Sequence, residues 1–446
     1  MSGQTIVEIK AREILDSKAR PMVEVDVRTA GGVLGRGSSP CGTSVGAHEA
    51  FVLRDGGDRY RGLGVRQAVR NVTDVIAPAL IGRSVADYRE IDAQLIDLDG
   101  TPDKSRLGAN AIYSVSIAAA RAGAAACDLP LYRYLGAPAD CTIPVPMFNM
   151  INGGLPNGAE MAIQEFHVIP ATAGCYAEAL QIGVEIFAAL GEVIQRRYGN
   201  GAASIGTCAG YRAPAADPEE LLDVLLEAAH HAGYGGQCRL GLDCAASEFF
   251  DSATRRYQFC GESLDREGMI GVLERLAKAY DLFVIEDPLE EDDFEGFAAV
   301  TRRIPAIIIG DDLFAANLDR IKRGVAMGAA NAMILKPNMV GTISEGISSA
   351  RYAQEQGYRV IGSGRAGGTI DDPITDIAVA VGAPLVKFGA PRTGERLAKH
   401  NVVLRMEEEL GAAARFAGPS VFPESRRDPI VAGSCSHPAS TPSAQP

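Results

Sequence analysis

The segment Met22-Val23-Glu24-Val25-Asp26-Val27 alternates apolar and polar residues, the two-residue period of a half-buried strand. Gly31-Gly32 then supplies a turn, and Val33-Leu34-Gly35 starts a return strand, so the first forty residues predict an antiparallel meander. Apolar positions next recur at helical spacing over 64–80, 85–98 and 108–127. The last of these is rich in Ala and Ser, side chains small enough for close packing. The pattern predicts a small α+β domain over residues 1–139, after which Pro130, Pro138, Pro144 and Pro146 crowd the connection.

Beyond residue 140 the texture changes to short apolar runs, each ending in a polar or charged residue. These are Ala162-Ile163-Gln164-Glu165, Leu240-Gly241-Leu242-Asp243, Phe283-Val284-Ile285-Glu286, Ile307-Ile308-Ile309-Gly310-Asp311, Met333-Ile334-Leu335-Lys336, Val360-Ile361-Gly362-Ser363 and Leu385-Val386-Lys387. Helical patterns fill the gaps, one opening at Asp217-Pro218 with a capping acid and a proline at the first helical position. Buried parallel strands read this way, and a β/α barrel places its chemistry at the C-terminal ends of such strands. The expected fold class is therefore α/β: an α+β cap followed by a barrel over 140–418. From 419 to 446 the chain turns to Pro and Ser, the composition of a disordered tail.

Charge narrows the function. Among 446 residues, Lys+Arg 43 against Asp+Glu 56 gives a formal net charge of −13. That balance disfavours nucleic acid and membrane surfaces as partners. A small anionic substrate would need local Lys, Arg or metal. The start, MSGQTIVEIK, has no basic segment followed by an apolar one, and the apolar run near 117–126 is broken by Arg121, so a cytoplasmic protein is expected. Nine cysteines without a CxxC pair predict reduced thiols rather than a disulfide framework or a zinc site.

Asp243, Glu286 and Asp311 close three separate strands of the barrel half. Any one alone reads as a solvated strand end. Three converging on one barrel mouth would repel one another unless a hard cation neutralised them, and Mg²⁺ prefers such oxygen ligands. Lys336 and Lys387 close two further strands toward the same cavity, where a lysine beside a cation can act as a base.

These residues carry a family resemblance. Over roughly residues 4–412 the chain resembles enolase: Ala11-Arg12-Glu13-Ile14-Leu15-Asp16-Ser17, Gly108-Ala109-Asn110-Ala111-Ile112, Leu242-Asp243 through Glu248-Phe249, Ile285-Glu286-Asp287-Pro288, Gly310-Asp311-Asp312-Leu313, Leu335-Lys336-Pro337-Asn338 and Lys387-Phe388-Gly389-Ala390-Pro391 match its motifs in order. The resemblance implies a hydro-lyase with a modified barrel, two Mg²⁺, and a homodimer or octamer. It implies Asp243, Glu286 and Asp311 on the first metal and Ser44, in the lid Gly42-Thr43-Ser44-Val45-Gly46, on the second. It implies Lys336 as the base and Lys387 near the substrate carboxylate. Arg365 would hold the phosphate-like group, while Gln164 and Glu165 would face the departing hydroxyl.

The departures from the family pattern are as informative. After Asn152-Gly153-Gly154 the family has a histidine where this chain has Pro156. The family's Gly-Asp-Glu-Gly-Gly loop reads Gly206-Thr207-Cys208-Ala209-Gly210, with Cys208 at the glutamate. Its Ser-His-Arg-Ser segment reads Ser363-Gly364-Arg365-Ala366. Base and metal residues are kept while leaving-group residues are depleted, leaving Glu165 and then Cys208 as candidate acids. Gly364 and Ala366 predict a larger, differently bonded pocket beside Arg365. The leading expectation is dehydration of a 2-phosphoglycerate analogue with a bulkier acidic group, as in carboxyphosphonoenolpyruvate synthesis. Ordinary phosphopyruvate hydratase is the alternative, and an inactive enolase fold kept for interactions is the third reading.

Overall fold

The computed structural model describes residues 3–42, 46–154 and 157–422. Strands Ile6–Leu15, Pro21–Thr29 and Leu34–Ser38 pair antiparallel in chain order, as the alternation predicts. Val23, Val25 and Val27 face inward and are fully buried, while Glu24 and Asp26 pair with Arg12 on the other face. The helix Ala109–Ala126 lies directly on this sheet. A Cβ built on Gly35 would come within 2.0 Å of Ala118 O, and one on Gly37 within 2.4 Å of Ser114 O. Glycine on the strand and alanine or serine on the helix therefore set the distance between the two layers. The helical pattern over 64–80 is realised as Arg66–Asn71 and Ala77–Leu80 joined by a wide turn at Val72–Ile76.

Eight strands close the barrel: Val145–Asn152, Glu165–Pro170, Cys238–Asp243, Val284–Glu286, Ile307–Gly310, Ala332–Leu335, Arg359–Ser363 and Leu385–Gly389, the last pairing back onto the first. Two of them correct the sequence reading. The first strand falls where prolines suggested only a connection. Pro144 precedes it and Pro146 lies within it, opposite Val386 in the parallel ladder. The second strand begins at Glu165 instead of ending there, and it runs antiparallel to both neighbours. The run Ala162–Gln164 is the approach to that strand. Two consecutive helices, Tyr176–Tyr198 and Pro218–His231, bring the chain to the third strand; Asp217 caps the second of them by accepting from Glu219 N at 2.9 Å.

Val145, Met147, Ile169, Val284, Ile309 and Ile334 fill the barrel interior, and alternate residues such as Phe166 and Val168 face the helices. The two domains meet through buried polar contacts. Asp92 Oδ2 accepts from Ser344 N at 2.8 Å, and Lys104 Nζ pairs with Glu345 Oε1 at 2.9 Å. At the other end, Val421 and Phe422 are buried against the barrel, so packed structure extends past residue 418; residues 423–446 lie outside the described residues.

Candidate active site

Strand register assembles the site. The parallel strands share one mouth at their C-terminal ends, and the antiparallel second strand presents its first residue there. Glu165 is thus the register partner of Asp243, Asp243 of Glu286, and Ser363 of Lys387. One cleft at this mouth is lined by Gln164, Glu165, Cys208, Asp243, Asp311, Lys336, Gly364, Arg365, Ala366 and Lys387. Glu286 sits just below it, fully buried. Ser44, Leu155 and Pro156 lie outside the described residues.

The lysines are tied into the carboxylates. Lys387 Nζ donates to Asp243 Oδ2 at 2.8 Å and Glu286 Oε2 at 2.7 Å, and lies 3.4 Å from Glu165 Oε2. Lys336 Nζ donates to Asp311 Oδ2. Burial works against the charge on Lys387, but Asp243, Glu165 and Glu286 outweigh it and hold the ammonium well above its usual range. In Lys336 the same opposition between burial and Asp311 ends above the usual lysine value. Burial pushes Glu286 well up, with Asp243 adding to it; Asp243 is also raised, chiefly by burial. Glu165 and Asp311 go the other way: burial opposes their charge, and Lys387 and Lys336 respectively overcome it.

A hard cation suits this donor set. Glu286 Oε1 and Asp311 Oδ1 are buried without a hydrogen-bond partner, and Glu286, Asp287 and Asp311 each bring an oxygen within 4.8 Å of the others. Asp287, which the sequence reading did not single out, already accepts from Asp311 N at 3.0 Å and Asp312 N at 2.8 Å. Its carboxylate therefore shapes the strand end that carries Asp311, while Asp243 is engaged in its turn, accepting from Ala245 N at 3.1 Å and Lys387 Nζ at 2.8 Å. The signal for Asp287 was its place inside Ile285-Glu286-Asp287-Pro288.

In the same cleft Arg365 forms a two-pronged ion pair with Glu49, at 2.8 and 3.1 Å, both side chains almost wholly buried. Glu49 comes from the cap domain and was missed because nothing in its local pattern marks it. Gly364 does not leave the empty room that its lack of a side chain predicts. A Cβ there would meet Lys399 Cε at 3.2 Å, so a lysine stem already fills part of that space. The Ala366 carbonyl accepts from Arg396 Nη2 at 3.2 Å. Cys208 faces Glu165, and burial, reinforced by that carboxylate, pushes its thiol up to about 11, so it stays protonated. Gln164 donates to Glu248 Oε1 at 3.2 Å. His167, also missed, hydrogen-bonds Glu165 from inside the barrel at 3.0 Å.

Comparison with known proteins agrees with this geometry along the chain. A family profile described as "Enolase, N-terminal domain" matches residues 6–135, and one described as "Enolase, C-terminal TIM barrel domain" matches residues 140–425. The chain is 47% identical over 418 residues to a protein of Methanopyrus kandleri named "Enolase", covering 93% of this chain and 98% of that protein. It is 46% identical over 417 residues to the "Enolase" of Pyrococcus furiosus (93% and 97%), and 45% identical over 417 residues to that of Methanococcus aeolicus (93% and 98%). No described helix is long and apolar enough to cross a membrane.

Proposed function

The chain belongs to the enolase family of carbon–oxygen lyases, and on that premise we propose that it removes the proton α to a carboxylate and eliminates water from 2-phosphoglycerate or a close analogue. The observation that carries this reading is the convergence of Lys336, Lys387, Asp243 and Asp311 on one cleft, with Glu286 buried just below and Glu165 beside Lys387. Lys336, once it has released its proton, takes the substrate's α proton. Lys387 steadies the substrate carboxylate, Arg365 the acidic group on the neighbouring oxygen, and Glu165 with Gln164 the departing hydroxyl. Asp243, Glu286 and Asp311 would hold Mg²⁺, which supplies positive charge to the carboxylate as negative charge builds on it.

The names of the relatives support 2-phosphoglycerate as the substrate, and with it an ordinary phosphopyruvate hydratase. A second reading rests on the wall around Arg365. With Gly364 and Ala366 in place of a histidine and a serine, it lacks two donors for a phosphate, which favours a larger acidic group such as phosphonoformyl. The Lys399 stem beside Gly364 limits the extra room, and no relative's name points to a phosphonate. An inactive interaction protein would have no reason to keep Asp243, Glu286, Asp311 and both lysines while losing the leaving-group residues.

NMR in D₂O with Mg²⁺ tests these readings, following C2-proton exchange and elimination separately. Rapid elimination from 2-phosphoglycerate establishes the hydratase. Exchange without elimination, followed by turnover of the phosphonoformyl analogue, establishes the second reading. Neither activity with either compound would sink both.

A further inference from the structure

Behind Glu165, inside the barrel, lies a polar group that this chemistry does not use. His167 follows Glu165 by two residues on the second strand, so both side chains point inward. Its Nε2 lies 3.0 Å from Glu165 Oε2, and the side chain is fully buried. Ile169, one step further down the same face, belongs to the apolar filling of the barrel. An apolar side chain at 167 would continue that filling without a polar group to satisfy.

The neighbours accommodate the ring. Its register partner on the third strand is Gly241, where a Cβ would come within 2.3 Å of Val284 Cγ2 and 3.6 Å of His167 Cβ. Its partner on the first strand is Asn149. His167 Nδ1 and both polar atoms of the Asn149 side chain are buried without a hydrogen-bond partner. Three unpartnered polar atoms on directly paired residues are costly unless they are used together, directly or through a buried water.

We propose that His167 is a positioning residue for the elimination step, clamping Glu165 against the pull of Lys387. Lys387 lies 3.4 Å from the same oxygen, Glu165 Oε2, and draws it toward Asp243. A hydrogen bond from His167 Nε2–H holds that oxygen from below and leaves Oε1 for the departing hydroxyl. A buried water between Asn149 and Nδ1, donating to that nitrogen, would keep the ring in the tautomer that carries its proton on Nε2. No covalent step is involved; the histidine acts through the carboxylate.

The inference rests on the reading of Glu165 as a leaving-group residue, and the test separates the two. His167→Met keeps bulk and burial but removes the donor; His167→Gln keeps a donor. Each is assayed in D₂O with Mg²⁺ and whichever of the two substrates the wild-type protein eliminates, alongside its melting temperature. His167→Met is expected to lower kcat for elimination about 10–100-fold, with KM within about twofold and C2-proton exchange near wild type. His167→Gln is expected to recover most of the loss. Wild-type elimination in His167→Met, or parallel loss of exchange and elimination in both variants, would overturn the proposal while leaving the function intact. A wild-type protein that neither exchanges nor eliminates would overturn the functional reading, and the clamp with it.

Discussion

Glu49, from the cap domain, holds the Arg365 guanidinium of the barrel by two nitrogens, at 2.8 and 3.1 Å, with both side chains almost wholly buried. An internal carboxylate thus faces the cation expected to bind the substrate's acidic group. Burial disfavours the arginine's charge, and Glu49 more than restores it. Glu49→Gln removes one partner of a buried pair, a change that typically costs about 3–5 kcal/mol. The variant should melt lower than wild type, and inorganic phosphate should raise its melting temperature more than it raises that of wild type. Thermal denaturation with and without phosphate measures this; equal responses to phosphate would remove Glu49 from the anion site.

The unpartnered oxygens Glu286 Oε1 and Asp311 Oδ1 predict a stabilising cation. Mg²⁺ that binds the folded chain alone should raise its stability by about 2.7 kcal/mol at a hundredfold excess over Kd. Glu286→Gln should abolish most of that rise, because it removes one anionic ligand from the site. Melting curves across a Mg²⁺ titration decide the matter, and a variant that still responded like wild type would place the ion elsewhere.

Cys208 stands beside Glu165 with its thiol held protonated, so it has little power as an acid. Cys208→Glu would put a second carboxyl next to Glu165. Two carboxylates at such range do not both ionise readily, so one would keep a proton near neutral pH for the leaving hydroxyl. Elimination from 2-phosphoglycerate should rise at least ~10-fold, a tenth of the ~100-fold at which a well-placed acid–base group begins to contribute. An unchanged rate would mean that the loop 206–210 does not serve the leaving group.

Much of the architecture was legible because burial imposes simple periods. Val23, Val25 and Val27 announced the cap sheet, and the apolar runs leading into Asp243, Glu286, Asp311, Lys336 and Lys387 announced both the barrel and its chemistry. The first barrel strand was hidden by Pro144 and Pro146, residues that usually interrupt a ladder. Strand direction was hidden too. Nothing local distinguishes a strand that ends at Glu165 from one that begins there, since both leave the carboxylate at the mouth. Glu49, Asp287 and His167 escaped because their importance lies in contacts made across the chain: Glu49 with Arg365, Asp287 with the backbone of 311–312, and His167 with the register partner Asn149. The lysine stem beside Gly364 was hidden for the same reason, since Lys399 comes from a later helix.

The domain junction predicts a pH dependence unrelated to catalysis. Asp92, on the cap helix Tyr88–Asp99, is fully buried; Oδ2 accepts from Ser344 N, and Oδ1 has no partner. Burial raises its pKa to about 6, against a reference of 3.8, with Ser116 and Ser344 only partly offsetting the rise. The folded state therefore binds this proton more tightly than the unfolded chain does. Its stabilising contribution is complete below about pH 4 and is lost as the pH rises through 6, a difference of the order of 3 kcal/mol. Asp92→Asn copies the neutral form at every pH. The variant should match wild type near pH 4 and melt progressively higher than it up to about pH 6.5, after which the gap should stay constant. Melting temperatures of both proteins from pH 4 to 8 test this, and a gap that did not change with pH would show that Asp92 is already neutral or solvated at the junction.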